Sequence, residues 1–336
     1  MASLKDIADE VGVSVSLVSK VINDKLGTTG ARKELIEAIK AKAEELGYKR
    51  NFNSIALLAK RQGAIGVFMH RMGAKGASLT EDSLEGMAEA AHNLNLRMML
   101  NFVTEHEDYI QRLEGLHTGM VDGVVLSGVF HMEAIPLLLK LKKEGLHLVS
   151  TFSDPIHESI PNTGLVEEDT CYLSTKHLIE QGCKKIATFD TMPLRTKGFR
   201  RAMSEAGLEV NEHLVFPMPQ MHTGFKSSTA RAALIGALEA GHQFDGICAQ
   251  SDSQAIGVIN ELISRGIRVP EDVKVTGIDN SAFCEACSVP ITSVDQKPTQ
   301  RGYAAVEMLE QLIEGKQVES NCVKPELIIR QSSVVS

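Results

Sequence analysis

The sequence predicts an α/β chain in two parts. A three-helix headpiece with a helix-turn-helix comes first, followed by a two-lobed part in which each lobe is a mostly parallel sheet flanked by helices. Three observations predict it. The first 47 residues carry apolar stripes of helical period only. From Ala64 onward, short apolar runs alternate with helical patterns, as parallel βαβ units require. The alternation continues for about 270 residues, more than one compact doubly wound sheet takes, so it divides into two similar lobes.

In the headpiece, Leu4, Ile7, Ala8 and Val11 form one stripe that ends at Gly12. Ser14 is placed to cap a second helix with Leu17, Val18 and Val21 on its inner face, and a break follows at Asn23-Asp24. Leu35, Ile36, Ile39, Ala43 and Leu46 make a third stripe, opened near Thr29 and stopped by Gly47 in a C′ role. Further on, strands are expected at Ala64–Met69, Leu96–Asn101, Asp122–Leu126, Leu146–Thr151, Lys185–Asp190, Gly246–Ala249 and Val273–Ile278. Helices are expected near 81–95, 107–118, 133–144, 168–181, 195–206, 225–240, 253–265 and 299–314.

Charge is segregated along the chain. The formal net charge is −8, yet residues 1 to 61 hold 11 Lys/Arg against 8 Asp/Glu, leaving 24 against 35 for the rest. The small basic piece suits phosphates, and the acidic remainder keeps the molecule off non-specific DNA. The six cysteines follow no framework, and MASLKDIADE lacks the basic start and apolar run of an export signal, so a cytoplasmic location is expected. No run of about 18 apolar residues occurs, which argues against a membrane partner. The 11 histidines include no i, i+3 or i, i+4 pair, and Cys284-x-x-Cys287 stands without a second pair, so neither a metal nor a cofactor is expected. With no G-x-S-x-G elbow and no phosphate-binding glycine motif, no catalytic residues are assigned, and an enzyme is not expected.

The strongest motif runs from Leu4 to Asn23. Two short helices joined by a Gly-containing turn let the second lie in the major groove of duplex DNA. Its polar face offers Val15, Ser16, Ser19 and Lys20. Lys20 can reach guanine O6 or N7, the two serines can meet bases or phosphate, and Val15 can touch a thymine methyl. A structural helical hairpin without a ligand is the alternative on pattern alone.

This stretch, together with Glu45-Leu46-Gly47-Tyr48, closely resembles the lactose/galactose repressor (LacI/GalR) family. Further motifs at family spacing are Ile65-Gly66-Val67, Val121-Asp122-Gly123, Arg195-Thr196-Lys197-Gly198-Phe199, Val269-Pro270-Glu271-Asp272-Val273 with Gly277-Ile278-Asp279, and Ile291-Thr292-Ser293-Val294. The resemblance implies a headpiece over 1–47, a hinge over 48–62 and a periplasmic-binding-protein-like sensor over 63–336. Its first lobe would span about 63–160 plus 292–322, and its second about 161–291 plus 323–336. Leu4 and Asn23, at the two ends of the motif, complete the DNA-facing set expected on the headpiece.

The family's hinge pushes a leucine into the minor groove, and Leu57 holds that position, although Arg50, Asn53 and Ser54 depart from the usual pattern. The loop Asn23–Gly30 is one residue short. Packing of Ile55, Leu57 and Leu58 on the sensor is the alternative.

Open α/β sheets bind ligands beyond the carboxyl ends of their strands. Arg195 and Asp279 satisfy that rule, and in the family the matching pair holds the effector; a surface charge or a lone buried pair is the other reading. Ser251 stands at the site of a common effector-binding asparagine. His70 and Arg71 open a first-lobe loop, residues 69–78, that either cradles a ligand or is simply solvated. Phe152 either stacks on a sugar face or plugs the core.

The expectation is a homodimer on a pseudo-palindromic operator, repressing transcription, with a sugar-like small molecule between the lobes altering operator affinity. A sugar-binding transport protein and a sugar- or nucleotide-processing enzyme are the rivals.

Overall fold

Local chemistry sets the headpiece. The first helix, α1 (Leu4–Val11), opens on a capping box: the Ser3 hydroxyl accepts the Asp6 N–H at 3.2 Å, and the Asp6 carboxylate accepts the Ser3 N–H at 2.8 Å. Gly12 turns the chain at φ +73°, where a side chain would be strained, and its N–H returns to the Ala8 carbonyl. Ser14 then caps α2 (Val15–Ile22) as expected, its hydroxyl accepting the Leu17 N–H at 3.2 Å. The third helix, α3 (Lys33–Glu45), packs on both and closes a core of Ile7, Ala8, Val18, Val21, Ile22, Ile39 and Ala43. Thr29, its expected opening, lies outside the described residues; the helix begins at Lys33, after Arg32, with no side-chain cap.

The computed structural model describes residues 2–23, 26, 30–48, 61–70, 72, 77–103, 106–116, 119–128, 132–219 and 223–335. The chain divides into two units, Met1–Gln62 and Gly63–Ser336. Leu57, Arg50, Asn53 and Ser54 of the expected hinge, and Arg71 of the first-lobe loop, fall outside the described residues.

The larger unit begins with β1 (Ala64–His70), α4 (Leu79–Asn93), β2 (Arg97–Val103), α5 (His106–Glu114), β3 (Gly123–Ser127), α6 (Ile135–Lys143) and β4 (His147–Ser150). These strands form a parallel sheet in the order β2-β1-β3-β4. Alternation within β1 fills both faces: Ile65, Val67 and Met69 join one apolar layer, Ala64 and Phe68 the other. Burying a side chain such as Phe68 stabilises the lobe by about 1.5–3 kcal/mol.

The second lobe follows with β5 (Thr163–Leu165), α7 (Glu167–Glu180), β6 (Ile186–Asp190), α8 (Pro193–Glu205), β7 (Val215–Pro217), α9 (Ser227–Glu239), β8 (Gly246–Cys248), α10 (Asp252–Ser264), β9 (Lys274–Ile278), α11 (Phe283–Ala286) and β10 (Thr292–Asp295). The chain then returns through α12 (Pro298–Ile313), which packs on α4, β3 and β4 of the first lobe, and ends with β11 (Asn321–Val323) and β12 (Glu326–Ile328). The second sheet has the order β12-β10-β9-β8-β6-β7, antiparallel only at β12, while β5 pairs with β11 between the sheets.

Two features differ from expectation. Residues 292–295 were assigned to the first lobe, but β10 pairs with β9 in the second sheet, so the chain crosses back only after Asp295. The strands β5, β7, β10, β11 and β12 have no counterpart in the sequence reading; each is three or four residues long, and unlike the equally short β4 and β8 none lies in an apolar run picked out in the sequence. Among the described residues no helix is long and apolar enough to cross a membrane, no group of three or more side chains is placed to hold a metal, and the cysteines are free thiols.

Candidate functional site

On the headpiece, the face of α2 turned from the core carries Val15 and Ser16 exposed, with Ser19 and Lys20 half-buried. Val15 is 42 % exposed and so open to a methyl contact. Asn23 ends the helix and donates from Nδ2 to the Ser19 hydroxyl at 3.4 Å, which ties two of the expected reading residues together. Leu4 packs half-buried against the headpiece core. A short helix offering small polar groups, one cation and one apolar tip is the chemistry of base-edge reading.

In the sensor, three neighbouring parallel strands β6, β8 and β9 end at one place. Arg195 comes just after β6, Gln250 after β8 and Asp279 after β9. Arg195 is 5 % exposed; its Nε donates to Glu167 Oε2 at 2.8 Å, its Nη1 to the Gln250 carbonyl, and its guanidinium lies 5.6 Å from the centre of the Phe225 ring. Glu167, the first residue of α7, also accepts from the Ser153 hydroxyl at 2.8 Å. Burial pushes the Glu167 carboxyl up, but the Arg195 charge and the bonds from Arg195 and Ser153 outweigh it and leave it below its ordinary value.

Asp279 sits at φ +120° and Asn280 at φ +51°, a strained pair of non-glycine residues held by its surroundings. Asp252 supplies the brace: its carboxylate accepts the Ser281 N–H at 2.7 Å and the Ser293 hydroxyl, which itself accepts the Asn280 N–H at 2.9 Å. Gly277 is required here, since a Cβ would collide with Asp252 Oδ1. Gln296 donates from Nε2 to Asp279 Oδ1 at 2.6 Å. Burial first, and the neighbouring Asp252 second, push the Asp279 carboxyl well above the usual carboxylate range, with Arg195 pulling the other way.

The remaining expected residues are dispersed. Ser251 is buried, its hydroxyl donating to the Phe225 carbonyl at 3.2 Å and capping α10 by accepting the Gln254 N–H at 3.2 Å, so its polar atom is already committed. Phe152 lies in the first-lobe core with Leu126, Ala134, Leu148 and Ile160, and Asn162 holds its backbone through two bonds of 2.9 Å. Its placement fits the plug rather than the stacking platform. His70 is the half-buried last residue of β1.

Glu167, Gln250, Gln296 and Phe225 were not picked out in the sequence. Glu167 opens the run Glu167-Glu168-Asp169, which reads as an ordinary acidic first turn, and nothing local marks its bond to a residue 28 positions away.

Comparison with known proteins bears on the family and the fold. Residues 3–51 match the family described as bacterial regulatory proteins, lacI family, and residues 175–333 match a periplasmic binding protein-like domain. The HTH-type transcriptional regulator RegA of Clostridium saccharobutylicum is 28% identical over 344 residues, covering 99% of this chain and 99% of RegA. Two solved structures share the fold. A complex of the transcriptional regulator CelR with cellobiose aligns with TM-score 0.69 at 24% identity, covering 99% of this chain and 100% of that one. The lac repressor dimer bound to operator and the anti-inducer ONPF aligns with TM-score 0.81 at 19% identity, covering 99% of both.

Proposed function

Because the chain belongs to the lacI family of bacterial regulatory proteins, we propose that it represses transcription from a pseudo-palindromic operator and that a sugar-like molecule held between its sensor lobes sets its operator affinity. It is a DNA-binding transcriptional regulator with a ligand-binding sensor domain, and not an enzyme. The observation that carries the ligand reading is the convergence of Arg195, Gln250 and Asp279 at the carboxyl ends of three adjacent parallel strands. A buried guanidinium beside a buried carboxyl offers donors and an acceptor to adjacent hydroxyls, and CelR, of the same fold, was solved with cellobiose.

Operator recognition is assigned to Val15, Ser16, Ser19 and Lys20, with Leu4 and Asn23 at the margins and Leu57 as the hinge wedge. Two headpieces are needed to read a two-fold site, so the working form is a homodimer acting in the cytoplasm. In support, the edge strand β2 exposes Met99, Leu100 and Phe102, an apolar edge of the kind that association covers.

A paired set of variants tests this reading. Lys20→Ala is expected to weaken operator binding, by about 1–3 kcal/mol, with ligand affinity unchanged. Arg195→Ala is expected to keep DNA binding and lose the ligand response. Gel-shift titrations with and without cellobiose and other neutral sugars measure both; an Arg195→Ala protein that responds as the wild type does removes that residue from the site.

A further inference from the structure

We propose that the sensor site is selective for uncharged ligands, and that Glu167 excludes anions, phosphorylated sugars and nucleotides among them, by occupying the positive charge of Arg195. This rests on the reading of the Arg195–Asp279 strand ends as the effector site and adds the ligand's charge class. Arg195 is the cation an anionic ligand would seek at these strand ends, yet its Nε is bound to the Glu167 carboxylate at 2.8 Å and its Nη1 to the Gln250 carbonyl. Both members of the ion pair are more than nine-tenths buried, so water does little to screen the neutralisation.

The neighbouring carboxyls offer an anion no further cation. Asp279 and Asp252 are both buried and repel one another, and each resists ionisation more than a free carboxyl does, first because of burial. A second guanidinium that acts on Glu167, Arg301 of α12, is anchored to backbone, its Nη2 donating to the Thr151 carbonyl at 2.7 Å and its Nε to the Thr163 carbonyl at 3.2 Å. An entering phosphate or carboxylate would therefore meet, in Arg195, a guanidinium already paired with a carboxylate.

A neutral ligand meets a different set. Asp279 Oδ2 and Arg195 Nη2 have no hydrogen-bond partner among the described residues, which leaves an acceptor and a pair of donors beside the Phe225 ring. Hydroxyls on adjacent sugar carbons, or a ring N–H next to a carbonyl, complete that set without adding charge. Glu167 is thus a specificity residue acting through Arg195.

The test uses inorganic phosphate as the probe, titrated calorimetrically into the full-length protein with chloride balancing the ionic strength. The wild type is expected to show no saturable phosphate binding, whereas Glu167→Gln, which keeps the shape and removes the charge, gains a saturable site with affinity at least about tenfold above the weakest that the titration resolves. The double variant Glu167→Gln/Arg195→Gln is expected to lose it. A folded Glu167→Gln protein with no gain overturns the proposal, and so does a wild type whose saturable phosphate binding is removed by Arg195→Gln. If Glu167→Gln does not fold, wild-type thermal shifts with glucose against glucose 6-phosphate and adenine against adenosine monophosphate decide. Stronger stabilisation by either phosphorylated member overturns the proposal, and stronger stabilisation by its neutral parent supports it. Should no neutral compound shift the wild type while phosphate behaves as expected, the sugar reading fails and anion exclusion stands.

Discussion

Ser14 and Glu167 mark the two extremes of what single residues disclose. A serine two positions after a glycine and just before an apolar stripe has one evident use, and its hydroxyl caps α2 as the pattern predicts. Ser14→Ala is expected to cost about 1 kcal/mol of headpiece stability and to weaken operator binding alongside; thermal melting followed by circular dichroism measures the first effect. Glu167 is illegible by the same means, because its partners Ser153 and Arg195 lie 14 and 28 positions away and its own neighbourhood is plain acidic helix start. His177 gives a pH prediction. It is buried, shares a 2.7 Å bond with the Ser333 hydroxyl, and burial draws its pKa below the ordinary 6.5. The unfolded chain therefore takes up the proton first as pH falls. Stability that is full above the unfolded value is lost as pH drops through the folded one. Urea melts across roughly pH 7 to 5 are expected to flatten in His177→Gln.

Among elements, the long ones were readable, and of the short strands only β4 and β8, which sit in apolar runs, were. The sensor helices other than the four-residue α11, and the strands β1, β3, β6 and β9, carry enough residues to show their period. The strand β10, four residues long, shows its lobe only through pairing with β9, and that is why the crossing was expected too early. Helix packing makes a further demand. Gly198 in α8 lies so close to α7 that a Cβ would collide with the Glu168 carbonyl, one residue from Glu167. Gly198→Val must push the two helices apart, costing about 1–3 kcal/mol and moving Arg195 away from Glu167 together. Loss of ligand-induced thermal stabilisation in a protein that still binds operator is the expected outcome.

At the scale of the molecule, the division of charge fits the division of labour: the basic head faces DNA and the acidic sensor does not. Operator affinity is accordingly expected to fall with salt, and Lys20→Ala to reduce that slope only slightly while relaxing base preference. For the proposed homodimer, Leu100→Lys on the exposed edge of β2 is expected to favour monomers in analytical ultracentrifugation and to weaken operator binding through the lost second headpiece.

The coupling between ligand and operator is bounded by the ligand's differential affinity for the two states, typically about 1–3 kcal/mol. The most direct measurement is selection of genomic DNA fragments by the purified protein, followed by titration of the captured site with and without a stabilising neutral ligand. A two-fold symmetric sequence, bound less tightly by Lys20→Ala and shifted about 5- to 150-fold in affinity by the ligand, is the predicted result. Binding without sequence preference, unmoved by any ligand that stabilises the protein, would contradict it.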